Sequence, residues 1–152
     1  MSFVATGETA DLTLTNDGWW PDIDVAVLRA TLRLDGTVTD ARLKASTVNA
    51  MLSVNRELRA FKERHVAAGA ATLEAVADDE IAGEKALVAQ YRRAVCCTAG
   101  AELVERYRNY DSTNSGHAEA DKLTETVDEL RRDARWVIRD LLGIAHATVE
   151  LI

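Results

Sequence analysis

The spacing of apolar residues constrains the fold most strongly, because they recur every three or four positions along two long stretches. This period matches the 3.6-residue turn of an α-helix and gives each helix one apolar face. In residues 39–68, which predict one continuous helix capped by Thr37 or Thr39, the recurring residues are Leu43, Thr47, Met51, Val54, Leu58, Phe61 and His65. In residues 118–142, which predict a second long helix, they are Leu123, Val127, Leu130, Ala134, Val137 and Leu141.

Two further helices are predicted from residues that favour helix starts and ends and from the spacing of apolar residues. Pro21 and the aspartates that follow it favour a helix start, which predicts a helix over residues 22–34 ended by Gly36. An acidic connector over residues 70–83 leaves room for one helical turn around Ile81. The next helix is predicted over residues 84–110, with its inward face formed by Leu87, Tyr91, Ala94, Thr98, Ala101 and Val104.

These elements predict an all-α, four-helix bundle-like fold in a single domain. A chain of 152 residues buries enough surface to form its own core. We divide the chain into an extended arm (1–21), a helical core (22–143) ended by Gly143, and a short extended tail (144–152). The predicted core residues are Leu43, Val54, Leu58, Phe61, Tyr91, Leu123, Val127, Leu130, Trp136, Val137 and Leu141.

The net charge of −7 argues against a protein whose main work is to neutralise phosphates. The charge is also segregated along the chain. Residues 1–24 carry five acidic and no basic side chains, residues 25–73 carry eight basic and four acidic ones, and residues 74–85 carry five acidic and one basic. This pattern suits a basic region that meets the acidic region of a neighbouring copy. The alternative is a mixed, solvated surface.

The sequence shows no membrane span and no secretory signal, which predicts a cytosolic protein. Cys96 and Cys97 are adjacent and cannot close an unstrained local disulfide on a helix. Reduced thiols suit that compartment.

No catalytic or metal-binding pattern is present in the sequence. His65, His117 and His146 lie on different predicted elements, and none has a helical histidine or glutamate partner that would form a metal site. Motifs for nucleophilic catalysis, nucleotide binding and zinc binding are absent from the sequence. We therefore expect no enzyme activity, no cofactor and no metal.

Three features suggest protein binding. Trp19, Trp20 and Pro21 form either a lid on the end of the bundle or an aromatic anchor for a partner's pocket. The C-terminal residues Val149, Leu151 and Ile152 either pack on their own bundle or bind a partner, by adding a β-strand to its sheet or by inserting into a neighbouring subunit. A weaker set of basic residues, which ion pairs on the helix surface also explain, consists of Arg92, Arg93, Arg131, Arg132 and Arg135.

Several stretches taken in order resemble the head-completion proteins of temperate contractile-tailed phages. The resemblance extends along most of the chain and is weakest at the first few residues, at 66–82 and at 111–122. The stretches are 16–24 (NDGWWPDID), 33–39 (RLDGTVT), 83–98 (GEKALVAQYRRAVCCT), 105–108 (ERYR), 130–136 (LRRDARW), 143–144 (GI) and 148–152 (TVELI).

The resemblance implies a structural virion-assembly protein, a small helical head-to-tail adaptor. Such a protein would assemble in the host cytoplasm and dock as a ring of twelve copies on the portal after DNA packaging. It would retain the genome and offer a platform for tail joining. Its partners would be the portal protein, neighbouring copies and a tail-side connector, with DNA only as channel contents and with no membrane. The alternatives are a small helical scaffolding or regulatory homodimer and, less favoured by the charge, a DNA-binding regulator.

Overall fold

The computed structural model describes residues 12–34, 38–108 and 116–145, without the side chains of residues 107–108 and 116–125. The helices are α1 (Val25–Thr31), α2 (Asp40–Glu57), α3 (Arg59–Ala67), α4 (Ala86–Arg108) and α5 (Gly116–Leu141). Two antiparallel strand pairs join β1 (Thr13–Leu14) to β2 (Ile23–Asp24) and β3 (Glu80–Ile81) to β4 (Glu84–Lys85). The described part of the chain is therefore mostly helical, as predicted, but its five helices and two small antiparallel sheets do not confirm an all-α four-helix bundle.

Helix α4 is the centre of the structure, with α5 packed along one side and α2 along another. It can contact both because its middle turns carry small side chains. Gly100 marks a close approach, since a Cβ atom there would lie 2.6 Å from Leu32 Cδ2 and 3.3 Å from Leu130 Cδ1. The buried residues of α4 include Val88, Tyr91, Ala94, Val95, Ala99 and Leu103.

The predicted continuous helix over residues 39–68 is instead two helices that meet at Leu58. The backbone of Leu58 has φ −92° and ψ 12°, outside the helical range, so the chain bends there. Its side chain is fully buried, and the apolar stripe continues into α3 at Phe61. The pattern therefore located the buried face but not the bend. Thr39 caps α2 by accepting a hydrogen bond from the backbone of Arg42, and Gly69 follows α3 with φ +95°.

Helix α1 is shorter than the predicted 22–34. It begins after Asp24, whose carboxylate accepts hydrogen bonds from the backbone N–H groups of Ala26 (2.8 Å) and Val27 (3.1 Å). The residues just before it pair with β1 instead of joining the helix. After the helix, Arg33 adopts the left-handed conformation with φ +53°. A non-glycine residue therefore turns the chain within the predicted helix, before Gly36, which lies outside the described residues.

The predicted helical turn around Ile81 is wrong, because this segment is a β-hairpin. Its two turn residues, Ala82 (φ +54°) and Gly83 (φ +80°), are both left-handed, as a type I′ turn requires. Glu84 and Lys85 form strand β4 ahead of α4 rather than its first turn. Helix α4 therefore begins at Ala86, two residues after the predicted start at residue 84. This hairpin has no clear signal in the sequence, because alanine is rare at a left-handed turn position.

Most of the predicted core residues are buried, and Trp136 is not. Leu130 is half-buried, and the side chain of Leu123 lies outside the described residues. Trp136 is 47% exposed because it precedes the buried Val137 and so points about 100° away from the apolar line of α5. The predicted core residues that are buried are Leu43, Val54, Leu58, Phe61, Tyr91, Val127, Val137 and Leu141.

Helix α5 (Gly116–Leu141) begins two residues before and ends one residue before the bounds of the predicted helix over residues 118–142, and Gly143 follows with φ +68°. The predicted tail residues Val149, Leu151 and Ile152 lie outside the described residues. Among the helices that the structure describes, none combines the length and apolarity that crossing a lipid bilayer requires.

Candidate interaction surface

The segment Trp19–Pro21 is part of the core in this structure. Trp19 and Trp20 are only 5% and 3% exposed, and Pro21 is buried beside them. The Trp20 ring stacks on Tyr91 at a centroid distance of 4.7 Å and on Phe61 at 6.1 Å. The aromatic-anchor hypothesis for these residues is therefore corrected: the helices enclose both rings, as the lid alternative requires. Residues 12–21 consequently belong to the folded body rather than to an extended arm.

A closed ring of hydrogen bonds fixes the start of this segment to the helices. Asn16 Nδ2 donates to Tyr91 Oη (2.8 Å), Tyr91 Oη donates to Asn55 Oδ1 (2.6 Å), and Asn55 Nδ2 donates back to Asn16 Oδ1 (2.9 Å). Burial raises the pKa of Tyr91 above its ordinary value of 10.0, so the hydroxyl remains a donor. The same Asn16 Nδ2 also donates to the carbonyl of Pro21 (3.1 Å). The ring thus joins residues from the N-terminal segment, α2 and α4.

Asp17 holds the turn that precedes the tryptophans. One carboxylate oxygen accepts hydrogen bonds from the backbone of Trp19 (3.0 Å) and Trp20 (3.1 Å), and the other accepts from Lys62 Nζ (2.6 Å). Burial by itself would raise the pKa of Asp17, but the hydrogen bonds and the Lys62 charge outweigh it. The pKa of Asp17 therefore lies below its ordinary value of 3.8.

This lowered pKa predicts an acid-sensitive contribution to stability. Because the folded-state pKa of Asp17 is below the unfolded value, the contribution is complete above about pH 5 and is lost as the pH falls through the folded value. Asp17→Asn retains an oxygen acceptor but not the charge, so its unfolding free energy should decrease less steeply over this acid range than that of the unchanged chain. Urea unfolding at a series of pH values measures the two slopes, and equal slopes would contradict the prediction.

The described side chains contain no recognisable catalytic or metal site. No group of three or more His, Cys, Asp or Glu residues among them could hold a metal ion. Burial is the larger cause, and the neighbouring Cys97 the smaller one, that together raise the pKa of Cys96 to about 11. Burial also raises the pKa of Cys97. Both thiols are therefore protonated near neutral pH and are poor nucleophiles. His65 is half-buried with its ring 4.4 Å from that of Phe61, while the other two histidines lie outside the described side chains.

Surface arginines connect α4 with its neighbours. Arg92 pairs with Glu84, Arg93 reaches Asp133 at 3.6 Å, and Arg131 pairs with Glu105 at 2.6 Å. Exposed ion pairs of this kind contribute little to stability. The Arg93 side chain is 63% exposed, and its distance to Asp133 is long for an ion pair, so it can also attract another acidic group.

Among the described side chains, the exposed aromatic residue is Trp136, which sequence reasoning placed in the core. The Arg132 guanidinium lies 5.0 Å from the centroid of its ring, one turn earlier on α5. We call this pair the α5 Trp–Arg face. The sequence contains one sign that Trp136 is exposed, since this residue does not fall on the apolar line of α5.

Arg92 and Arg93 also border an apolar groove between α1, α4 and α5, with a volume of about 700 Å³. We call it the α1–α4 groove. It is lined by Val27, Leu32, Arg93, Cys96, Cys97 and Leu130 among others. The structure thus brings the predicted Arg92–Arg93 pair to a concave surface, whereas the Trp19–Pro21 segment is buried in the core.

Comparison with known proteins gives a consistent result. A family model described as "Phage head completion protein (GPL)" matches residues 14–152, which include all five helices. The chain is 40% identical over 139 residues to the head completion/stabilization protein of Escherichia phage P2, covering 91% of this chain and 82% of that protein. It is 26% identical over 147 residues to the probable head completion/stabilization protein of Haemophilus phage HP1 (strain HP1c1), covering 97% of each. No solved structure matches the chain.

Proposed function

The chain belongs to the phage head completion protein family, and from this premise we propose that it docks on the portal as a ring after DNA packaging. A ring of twelve copies in that position would retain the genome and present a platform to the tail-side connector. The observation that carries the proposal is the match over residues 14–152, because it takes in the whole helical body. The relatives are named for head completion and stabilization, and we propose that this chain performs the same task as a structural part of the virion.

The α5 Trp–Arg face is our candidate for the surface that meets the portal. Tryptophan and arginine are enriched among the residues that dominate protein interfaces. Trp136 is presented on a long packed helix, so binding through it costs little ordering of the backbone. The tail residues Val149, Leu151 and Ile152 remain a proposed second contact.

Contacts between neighbouring copies in the ring would use the segregated charge. Exposed basic side chains on α2 and α3 include Arg56, Arg59 and Arg64, and exposed acidic ones near the β3–β4 hairpin include Glu74 and Glu80. The two sets lie on different elements, as a head-to-tail ring contact requires. We propose that the basic α2–α3 surface of one copy faces the acidic hairpin of the next.

Light scattering coupled to size exclusion tests the proposal with the protein alone and mixed with the portal ring of the same phage. We expect a monomer alone and a complex with a mass gain of twelve copies. Trp136→Ala should weaken portal binding about tenfold, and Trp136→Phe, which keeps an aromatic ring, should retain most of it. A tight dimer that does not bind portal rings or DNA-filled heads would favour the homodimer alternative instead.

A further inference from the structure

The α1–α4 groove has the shape and chemistry of a binding site for an extended chain segment. Its floor is formed by Leu32, Cys96 and Leu130, and Arg93 stands at its edge. Val27 lies on the α1 side and is 60% exposed, which is unusual for a valine beside an apolar concave surface. A complementary segment would therefore be apolar with a few acidic side chains.

The β1–β2 pairing places Leu12, where the described residues begin, beside the start of α1 and this groove. Thr13 pairs with Asp24, and the carbonyl of Leu12 accepts a hydrogen bond from the N–H of Val25 (3.1 Å). Because the pairing is antiparallel, Leu12 lies beside the first turn of α1, and residues 1–11 are attached to the chain at that point. Val27 occupies that turn, and Thr13 itself lines the groove.

We propose that residues 1–11 of the same chain dock in the α1–α4 groove. The segment contains Phe3 and Val4 for the apolar floor, and its charged side chains, Glu8 and Asp11, are both acidic. These complement Arg93, whose side chain is 63% exposed and contacts Asp133 at 3.6 Å and the Cys97 thiol. The acidic side chains that also line the groove, Asp22 and Asp24, already accept backbone hydrogen bonds.

The length of the segment and its attachment both favour this occupant. Eleven extended residues reach about 36 Å, whereas the groove follows α4 from Arg92 to Cys97, about 7.5 Å along the helix axis. Because the segment is covalently attached at the edge of the groove, its effective concentration is on the order of millimolar. A weak intrinsic affinity is therefore sufficient to keep it docked.

Cys96 provides a direct measure of occupancy. It is half-buried in the floor of the groove, so a docked segment covers it. Alkylation by N-ethylmaleimide near pH 9, followed by mass spectrometry of the peptides, gives its rate of modification. Deleting residues 2–11 should raise the rate at least about tenfold, the factor expected if the docked state is more than about 90% populated. A synthetic peptide of residues 1–11 added to the truncated chain should restore protection.

Two matched substitutions keep this test independent of the deletion. Val27→Asp introduces a charge at the edge of the groove and should raise the alkylation rate of Cys96 as the deletion does. Leu52→Asp places the same charge at a residue that is 59% exposed on α2, away from the groove, and should leave the rate unchanged. Both substituted side chains are exposed, so both variants should fold, which circular dichroism verifies. Unchanged rates in folded Val27→Asp and truncated chains would overturn the proposal.

Dilution distinguishes docking within one chain from docking between copies. Docking by the same chain predicts a Cys96 alkylation rate that is independent of protein concentration over a hundredfold range, with the mass of a monomer throughout. Protection that increases with concentration, together with a larger species in light scattering, would overturn the assignment to the same chain. Portal binding is not measured in these experiments, so their outcome does not depend on the proposed function.

Discussion

Replacing Trp20 with alanine should lower the free energy of unfolding by about 3 to 5 kcal/mol. The indole ring is almost fully buried and stacks between Tyr91 and Phe61, so its removal loses apolar contacts and leaves a cavity between two helices. A loss of this size is a large fraction of the 5 to 15 kcal/mol typical of a whole domain. The variant should therefore unfold at a much lower urea concentration.

Urea unfolding followed by far-UV circular dichroism measures this loss. Trp136→Ala is the matched control, because it removes the same side chain from an exposed position on α5 and should cost less than about 1 kcal/mol. A Trp20→Ala loss as small as that of the control would show that the Trp19–Pro21 segment leaves the core in solution. Its rings would then be available to a partner, as the aromatic-anchor hypothesis holds.

The sequence predicted the parts of the fold that depend on local spacing. The apolar stripe through Leu43, Val54 and Phe61 identified the buried face of α2 and α3, and glycine at positions 69 and 143 marked where helices end. These features follow from the helical period and from the left-handed conformation that glycine readily adopts. They need no knowledge of which helix packs against which.

The errors arise where distant contacts or rare backbone conformations decide the structure. Trp20 is buried by Tyr91 and Phe61, which are remote in sequence, so residue type alone could not separate a lid from an anchor. Arg33 and Ala82 adopt left-handed conformations that are uncommon for residues other than glycine, so the end of α1 and the β-hairpin gave no clear signal. At the candidate interaction surface, the sequence singled out Arg92 and Arg93 but could not show the groove that tertiary packing forms beside them.

The hydrogen-bond ring of Asn16, Tyr91 and Asn55 gives the second large prediction. Asn16→Ala removes the donor to the Tyr91 hydroxyl, the acceptor for Asn55 and the donor to the carbonyl of Pro21. Because these partners are at least partly buried, water replaces the lost bonds incompletely. The unfolding free energy should therefore decrease by about 2 to 3 kcal/mol.

Tyr91→Phe provides the matched comparison, because it breaks the ring while keeping the aromatic stack on Trp20. Asn16 can still donate to Pro21 in that variant, so the expected loss is only about 1 kcal/mol. If the ring acts as one unit, the double variant should lose less than the two single losses combined, since either change already breaks it. Additive losses would instead mean that Asn16 stabilises the N-terminal segment mainly through Pro21, and that the contact with Tyr91 contributes separately.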